Sequence, residues 1–395
     1  MSAEQDAPLS RADVVVDTTA IQHNVELLVA IAARSGAGTM AVVKADGYGH
    51  GAVAAARAAL RGGAGWLGVR SQDEALHLRA HGLTAPVLCW LHLPGETFTE
   101  AVRADIDLSV ATLDTLRAVI AAAAEVGGAA RIHLKIDTGL SRGGATEEDW
   151  PALVGAAADA ERAGLVRVVA VWSHLACADE PHHPSIDRQA ERFQDAYRTA
   201  RAAGLDPIRH LANSPATLTR PDLHFELVRP GIAIYGLNPV PEAATPPLRP
   251  AMTFRSVVAL VKRVRAGESV SYGHTWTAER DTTLALVPVG YADGVPRAIS
   301  GRMSVWLAGR RRPIAGRVCM DQFVVDCGDD AVSEGTEVVL FGPGDHGEPT
   351  ASEWADAIGT INYEIVTGMY RPRGHRFEVT GAPRPVRAVR EERRR

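Results

Sequence analysis

No stretch of this sequence approaches the ~20 apolar residues of a membrane-spanning helix. Its opening residues, Met1 to Arg11, are polar and acidic, without the apolar segment of a secretory signal. Cysteine is scarce: Cys89, Cys177, Cys319 and Cys327 form neither a disulfide framework nor a paired metal-ligand spacing. Reduced thiols are therefore expected, and no metal site. The adjacent pair His182-His183, set between Pro181 and Pro184, reads as a solvated loop. Charge of one sign is lacking too, since a formal net charge of -5 over 395 residues gives no electrostatic reason to expect nucleic acid. The exception is the arginine-rich stretch from Arg384 to Arg395, which reads as a solvated tail. These absences together predict a soluble, cytoplasmic protein.

What the sequence does have is length for two domains and a repeated alternation. Val14 to Val16 is a β-branched run, after which Asp17-Thr18-Thr19 offers caps to a helix carrying Ile21, Val25, Leu28 and Ala32 on one face. Strand-like apolar runs follow near 40–43, 66–69, 86–91, 106–110, 131–136, 166–173, 208–212 and 232–236. Most are followed by helical stretches such as Ser71 to Ala80, Leu113 to Val126 and Ser185 to Ala203. That pattern predicts an α/β fold with an N-terminal (β/α)8 TIM-type barrel; an open doubly wound sheet is the alternative, which the unit count disfavours. Prolines between Asn238 and Pro250 then interrupt any helix or central strand. Beyond them β-rich runs dominate, as at Ser256 to Val264, Thr283 to Val289 and Glu337 to Phe341. The expected organisation is a flexible segment 1–12, a barrel 13–245, a mainly-β C-terminal domain 246–383 and a basic tail 384–395. The strand at Val14 to Val16 could pair with either domain.

A barrel places its chemistry where strands end. Lys44 follows the first run, Lys135 and Asp137 close the fifth, Ser173 and His174 close the sixth, Asn213-Ser214 follow the seventh, and Arg229 precedes the eighth. The segment Val42-Val43-Lys44-Ala45-Asp46-Gly47-Tyr48-Gly49-His50-Gly51 carries the sharpest signal. An ammonium delivered by a buried strand must either reach water or change its chemistry, by deprotonating or by forming an imine. For an imine pyridoxal phosphate is the candidate, since the glycines allow close backbone approach, Tyr48 offers a hydroxyl to a phosphate, and the next helix offers its N-terminus; a tight strand-to-helix turn with a surface lysine is the alternative on this segment alone.

This segment resembles the pyridoxal-phosphate lysine motif of alanine racemases, fold-type III enzymes, in their actinobacterial form. Further segments are similar in family order from about Val14 to Arg373. The resemblance implies that Lys44 holds pyridoxal 5'-phosphate and is one catalytic base. Arg229-Pro230-Gly231-Ile232 is similar to the motif whose arginine faces the pyridine nitrogen. An arginine keeps its own proton and leaves that nitrogen unprotonated, weakening the ring as an electron sink. Ser269-Val270-Ser271-Tyr272-Gly273-His274 implies that Tyr272 is the second base, supplied to the partner subunit of a homodimer; His174 and Arg229 are the neighbours that would stabilise its phenolate. Lys135-Ile136-Asp137-Thr138-Gly139-Leu140-Ser141-Arg142 implies that Arg142 lies near the substrate carboxylate, with Lys135, carbamylated or paired with Asp137, beside it. Tyr48, Asn213, Ser214, Gly231, Ile232 and Tyr363 complete the implied cofactor set. Met320 is implied on the substrate side, again across the interface, with Asp321 next to it, and Tyr291 and Arg297 at the entrance.

The activity so implied is interconversion of L- and D-alanine, supplying D-alanine for peptidoglycan. A broader amino-acid racemase is the nearest alternative. A fold-type III decarboxylase would place a carboxylate where Arg229 stands, and a non-catalytic pyridoxal-phosphate carrier would lack the second domain with Tyr272.

Overall fold

The computed structural model of the chain describes residues 10–243, 245–369 and 375–381. The expectations for residues 1–9 and for the basic tail 384–395 lie outside the described residues. The chain divides into two compact units, one of residues 21–248 and one of residues 1–20 with 249–395.

The first unit is a nearly closed parallel barrel. Its strands are Gly38–Val42, Trp66–Val69, Val87–Cys89, Asp107–Val110, Ala130–Lys135, Val166–Trp172, Ile208–His210 and Leu227–Val228. Each of the first six pairs with its successor, and Leu227–Val228 returns to pair with Gly38–Val42 in the register Gly38 to Leu227. The remaining seam is bridged where the Arg229 N–H donates to the Ala212 carbonyl at 2.8 Å. The eighth strand is therefore Leu227–Val228, not the apolar run 232–236. Ile232–Tyr235 is a short 3-10 turn, its burial supplied by packing and not by sheet pairing. Arg229 consequently follows its strand, like the other strand-end polar residues.

The outer helices form for ordinary reasons. Leu113–Val126 is started by Thr112, whose Oγ1 accepts from the Thr115 N–H at 3.1 Å, and is stopped by Gly127 at φ 77°. It buries Leu116, Val119, Ala122 and Ala123 at helical spacing, and full burial of Leu116 or Val119 contributes about 1.5–3 kcal/mol each. Inside the barrel Met40, Leu88 and Leu227 pack with Trp66, Trp90 and Ile208. A polar set shares that interior: Asp107, Ser109, His133 and His210 are all buried.

The second unit is built on a nine-stranded sheet. Asp13–Asp17 joins this unit, pairing antiparallel with Met252–Val257 and parallel with His375–Val379, so residues before Ile21 belong to it and not to the barrel as expected. The expected run Ser256 to Val264 is two strands, Met252–Val257 and Leu260–Val264. Phe254, Phe341 and Trp354 pack as a chain of rings, with Phe341 edge-on to Trp354 at 5.2 Å. Among the described residues no helix is long and apolar enough to cross a membrane, and none of their His, Cys, Asp and Glu side chains cluster as a metal site.

Candidate functional site

Lys44 leaves the barrel two residues after Gly38–Val42 and enters a single turn of left-handed helix. Ala45 (φ 52°, ψ 50°), Asp46 (φ 49°, ψ 50°) and Gly47 (φ 63°, ψ 41°) are left-handed, as is Tyr48 at φ 52°. The N–H groups of Gly47 and Gly49 close the turn on the carbonyls of Val43 (2.9 Å) and Ala45 (3.1 Å). Left-handed geometry costs roughly 1–2 kcal/mol for each residue with a side chain, so tertiary contacts must impose it here. Glu74 supplies one, accepting from the Ala45 N–H at 2.9 Å, and Asp46 another, accepting from the Ala52 N–H at 2.8 Å. His50 turns Nδ1 toward the carbonyls of Gly47 and Tyr48, each at 3.0 Å, and stacks on Tyr235 at 4.4 Å. The helix that follows, Ala52–Arg61, thus has its first N–H held by Asp46. The turn sets the Lys44 Nζ 5.9 Å from the centroids of both Tyr48 and Trp90.

Arg229 is buried and directly follows its strand. Its Nη1 donates to His210 Nδ1 at 3.0 Å, and its Nη2 donates to the Ser173 carbonyl at 2.7 Å and lies 3.3 Å from His174 Nδ1. Trp172 lies under the guanidinium at 4.9 Å. Among the described residues Nε has no hydrogen-bond partner, and no carboxylate pairs with the charge. Burial brings its pKa down to about 9, which leaves it charged near neutrality.

The surrounding groups are mostly cationic. Burial lowers the Lys44 pKa, Arg142 and Arg70 lower it further, and Glu74 opposes them. Burial, then Arg229 and Arg142, bring Lys135 down to about 8. Asp137 does not form the alternative ion pair considered for Lys135. Its Oδ1 accepts from the Gly139 and Ser141 N–H groups at 2.9 and 3.1 Å, and among the described residues no carboxylate lies within ion-pair distance of Lys135. Lys135 instead faces the Trp172 ring at 4.5 Å. Burial, then the charges of Arg229, Arg142, Lys135 and Lys44, hold His174 well below its ordinary range, so its ring is neutral. Arg142 itself is exposed.

A backbone cradle adjoins this cluster. Ser214 Oγ accepts from the N–H groups of Gly231 (2.7 Å) and Ala233 (3.3 Å). Asn213 caps the short helix Ser214–Thr219 through the Ala216 N–H at 3.3 Å. Gly231 allows the Tyr48 hydroxyl to come close, since a Cβ there would lie 2.5 Å from it. Ile232 is fully buried. Four cations, hydroxyls and backbone N–H groups suit an anionic ligand, and an unpartnered arginine N–H suits a neutral acceptor. A phosphorylated pyridine with an aldehyde answers both requirements.

The second unit gathers a separate group. Ser271 Oγ donates to the Arg317 carbonyl at 2.7 Å, and the N–H groups of Tyr291 and Ala292 donate to the carbonyls of Cys319 (3.0 Å) and Met320 (2.9 Å). Gly290 is required there, because a Cβ would lie 2.2 Å from the Cys319 carbonyl oxygen. Tyr272 is left 71% exposed and Met320 52%. Asp321 and Arg297 are also exposed, and Tyr363 lies in the helix Asn362–Gly368.

Sequence reasoning missed His210, Trp172, Glu74 and Asp46, which hold Arg229 and the lysine turn. Asp46 sat inside the quoted segment, and its place ahead of an alanine-rich helix was a capping signal.

The family model described as alanine racemase, N-terminal domain, matches residues 16–239, and that described as alanine racemase, C-terminal domain, matches residues 251–377. An alanine racemase of Frankia casuarinae is 58% identical over 362 residues, covering 90% of this chain and 94% of that protein. The crystal structure of alanine racemase from D-cycloserine-producing Streptomyces lavendulae superposes with a TM-score of 0.92 at 51% identity, covering 95% of this chain and 99% of that one. A more distant structure, alanine racemase from Bartonella henselae with covalently bound pyridoxal phosphate, gives a TM-score of 0.84 at 27% identity, covering 94% and 100%.

Proposed function

Since this chain belongs to the alanine racemase family, we propose that it interconverts L- and D-alanine with pyridoxal 5'-phosphate held at the strand ends of its barrel. The observation that carries the cofactor reading is Arg229, a buried charge that among the described residues has no carboxylate partner and an unpartnered Nε. Lys44 would hold the aldehyde carbon, Arg229 would donate to the ring nitrogen, and Tyr48, Asn213, Ser214, Gly231, Ile232 and Tyr363 would surround the phosphate. When bound, the cofactor withdraws electrons from the substrate α-carbon and so acidifies its C–H bond.

Racemisation then needs one proton-transfer group on each face of that carbon. Lys44 Nζ serves one face, and its lowered pKa keeps more of the amine neutral and able to accept a proton. Tyr272 Oη serves the other, taking the proton of L-alanine and returning one to make it from D-alanine. A phenol ordinarily titrates near ~10, so the phenolate needs cationic or hydrogen-bonding neighbours. Neutral His174, whose Nδ1 faces Arg229 and whose Nε2–H is left to donate, and the cation of Arg142 are the groups able to supply them. Arg142 and the backbone at Met320 would hold the substrate carboxylate, with Tyr291, Arg297 and Asp321 around the entrance.

Tyr272 and Met320 reach a second copy of the chain in this proposal, which their exposure supports. Lys135, with a pKa near 8 and no carboxylate partner among the described residues, is suited to take up carbon dioxide as a carbamate and so present an anion to Arg142. A cytoplasmic location, and use of the D-alanine in peptidoglycan, belong to the same proposal and rest on family membership.

The test is incubation of the purified protein with pyridoxal 5'-phosphate and L-alanine, followed by an enantiomer-specific assay. Appearance of D-alanine is expected. A bound cofactor with no conversion of alanine would redirect the proposal to another amino acid.

A further inference from the structure

The contacts of Arg229 continue beyond His210 into the barrel interior. His210 Nε2 lies 2.8 Å from His133 Nδ1, and His133 Nε2 lies 2.9 Å from Asp107 Oδ2. Arg131 closes the chain by donating from Nε and Nη2 to the two oxygens of Asp107, the second at 3.1 Å. Both histidines and Asp107 have no exposed surface. Trp172 stacks on His210 at 5.5 Å, and Trp66 meets His133 edge-on at 5.5 Å.

Donor and acceptor rules allow one arrangement of protons along this chain. A guanidinium has no lone pair to offer, so His210 Nδ1 must accept from Arg229. Its Nε2 then carries the ring proton and donates, which requires His133 Nδ1 to accept. His133 therefore also carries its proton on Nε2, directed at a carboxylate that can only accept. Burial pushes the Asp107 carboxyl up, but the hydrogen bonds from His133 and Arg131 hold it below its ordinary range, so it stays ionised. Every bond points from Arg229 toward Asp107.

Barrel interiors are usually filled by branched apolar side chains. Buried polar networks are costly unless every member is satisfied, and here each ring nitrogen is. We infer that Asp107 and His133 are positioning residues for Arg229, fixing the tautomer of His210 so that the guanidinium donates to it and keeps Nε for an acceptor at the cofactor site. The inference rests on the assignment of Arg229 to the ring nitrogen. Without the terminal carboxylate, His133 can move its proton to Nδ1. His210 must then accept on Nε2 and turn an Nδ1–H against Arg229, donor against donor, which displaces the guanidinium.

Long-range proton–nitrogen NMR of the histidine rings tests the arrangement in protein free of cofactor, with the two signals assigned through H133Q and H210Q. Both rings should be neutral with the proton on Nε2; an Nδ1–H or doubly protonated ring at either position overturns the inference. Asp107→Asn still offers an oxygen to His133 and should keep the tautomers, whereas Asp107→Leu should change that of His210. Unchanged tautomers in a folded Asp107→Leu protein also overturn it, and if that variant does not fold the wild-type spectrum still decides. With pyridoxal 5'-phosphate bound, Asp107→Leu should form several-fold more pyruvate per D-alanine than wild type, and Asp107→Asn should not. The altered tautomer without extra pyruvate would leave the positioning chain standing and refute the placement of Arg229 at the ring.

Discussion

Arg229 Nη1 stands 3.0 Å from His210 Nδ1, and this bond fixes the direction of a hydrogen-bond chain reaching the barrel interior at Asp107. It holds a buried cation that no carboxylate among the described residues neutralises. A neutral imidazole accepts the bond, so the positive charge remains available at the strand ends, where the proposed chemistry takes place.

Arg229→Glu should therefore change the outcome of the reaction as well as its rate. A carboxylic acid there would favour a protonated pyridine nitrogen and a stronger electron sink, so pyruvate formed by transamination should rise relative to D-alanine. Pyruvate measured alongside D-alanine checks this, and an unchanged ratio would mean that Arg229 does not contact the ring.

Gly231→Ala should weaken cofactor retention, because the new Cβ would lie 2.5 Å from the Tyr48 hydroxyl and displace it. Equilibrium titration with pyridoxal 5'-phosphate should give a weaker Kd, and an unchanged Kd would contradict that contact.

The left-handed turn after Lys44 reverses the usual effect of glycine. Ala45 is exposed at φ 52°, so Ala45→Gly should relieve strain and stabilise the protein by up to about 1 kcal/mol. Gly47→Ala, at φ 63° with a new Cβ 3.2 Å from that of Ala55, should destabilise by about 1–2 kcal/mol. Urea unfolding of the two variants measures both, and the same sign in each would contradict the geometry.

Lys135 gives a pH dependence. Its folded pKa is near 8 against an ordinary 10.5, because burial and the charges of Arg229 and Arg142 disfavour the ammonium. Between those values the unfolded chain holds a proton that the folded chain has released, so stability should rise with pH across that window. In carbon-dioxide-free buffer the rise should be smaller in Lys135→Met, by unfolding measured near the two ends of the window.

Much of the barrel was legible because its strands are apolar runs separated by helices with ordinary caps. The eighth strand was misplaced since Leu227–Val228 is too short to show periodicity, while Ile232-Ala233-Ile234-Tyr235 imitates a strand and folds as a turn. The left-handed turn was illegible for a different reason: Ala45 and Tyr48 carry no preference for it, and it is held by Glu74 from another segment and by His50 just beyond the turn. The polar interior did leave a trace. Arg131, His133 and Lys135 alternate with Ile132 and Leu134, a pattern that suggests a water-facing strand unless barrel closure turns that face inward. Tyr272 and Met320 drew attention only through family resemblance, because composition does not reveal why a side chain is left exposed.

The central claim is that Lys44 of one subunit and Tyr272 of another face the same substrate carbon. Mixing Lys44→Ala with Tyr272→Phe subunits after reversible dissociation tests it most directly. Each variant alone should be nearly inactive, while the mixture should recover up to about a quarter of wild-type racemase activity, since random pairing makes half the dimers mixed and each mixed dimer holds one intact site. A mixture that remains inactive, although size and mass measurements show that mixed dimers have formed, would contradict the account.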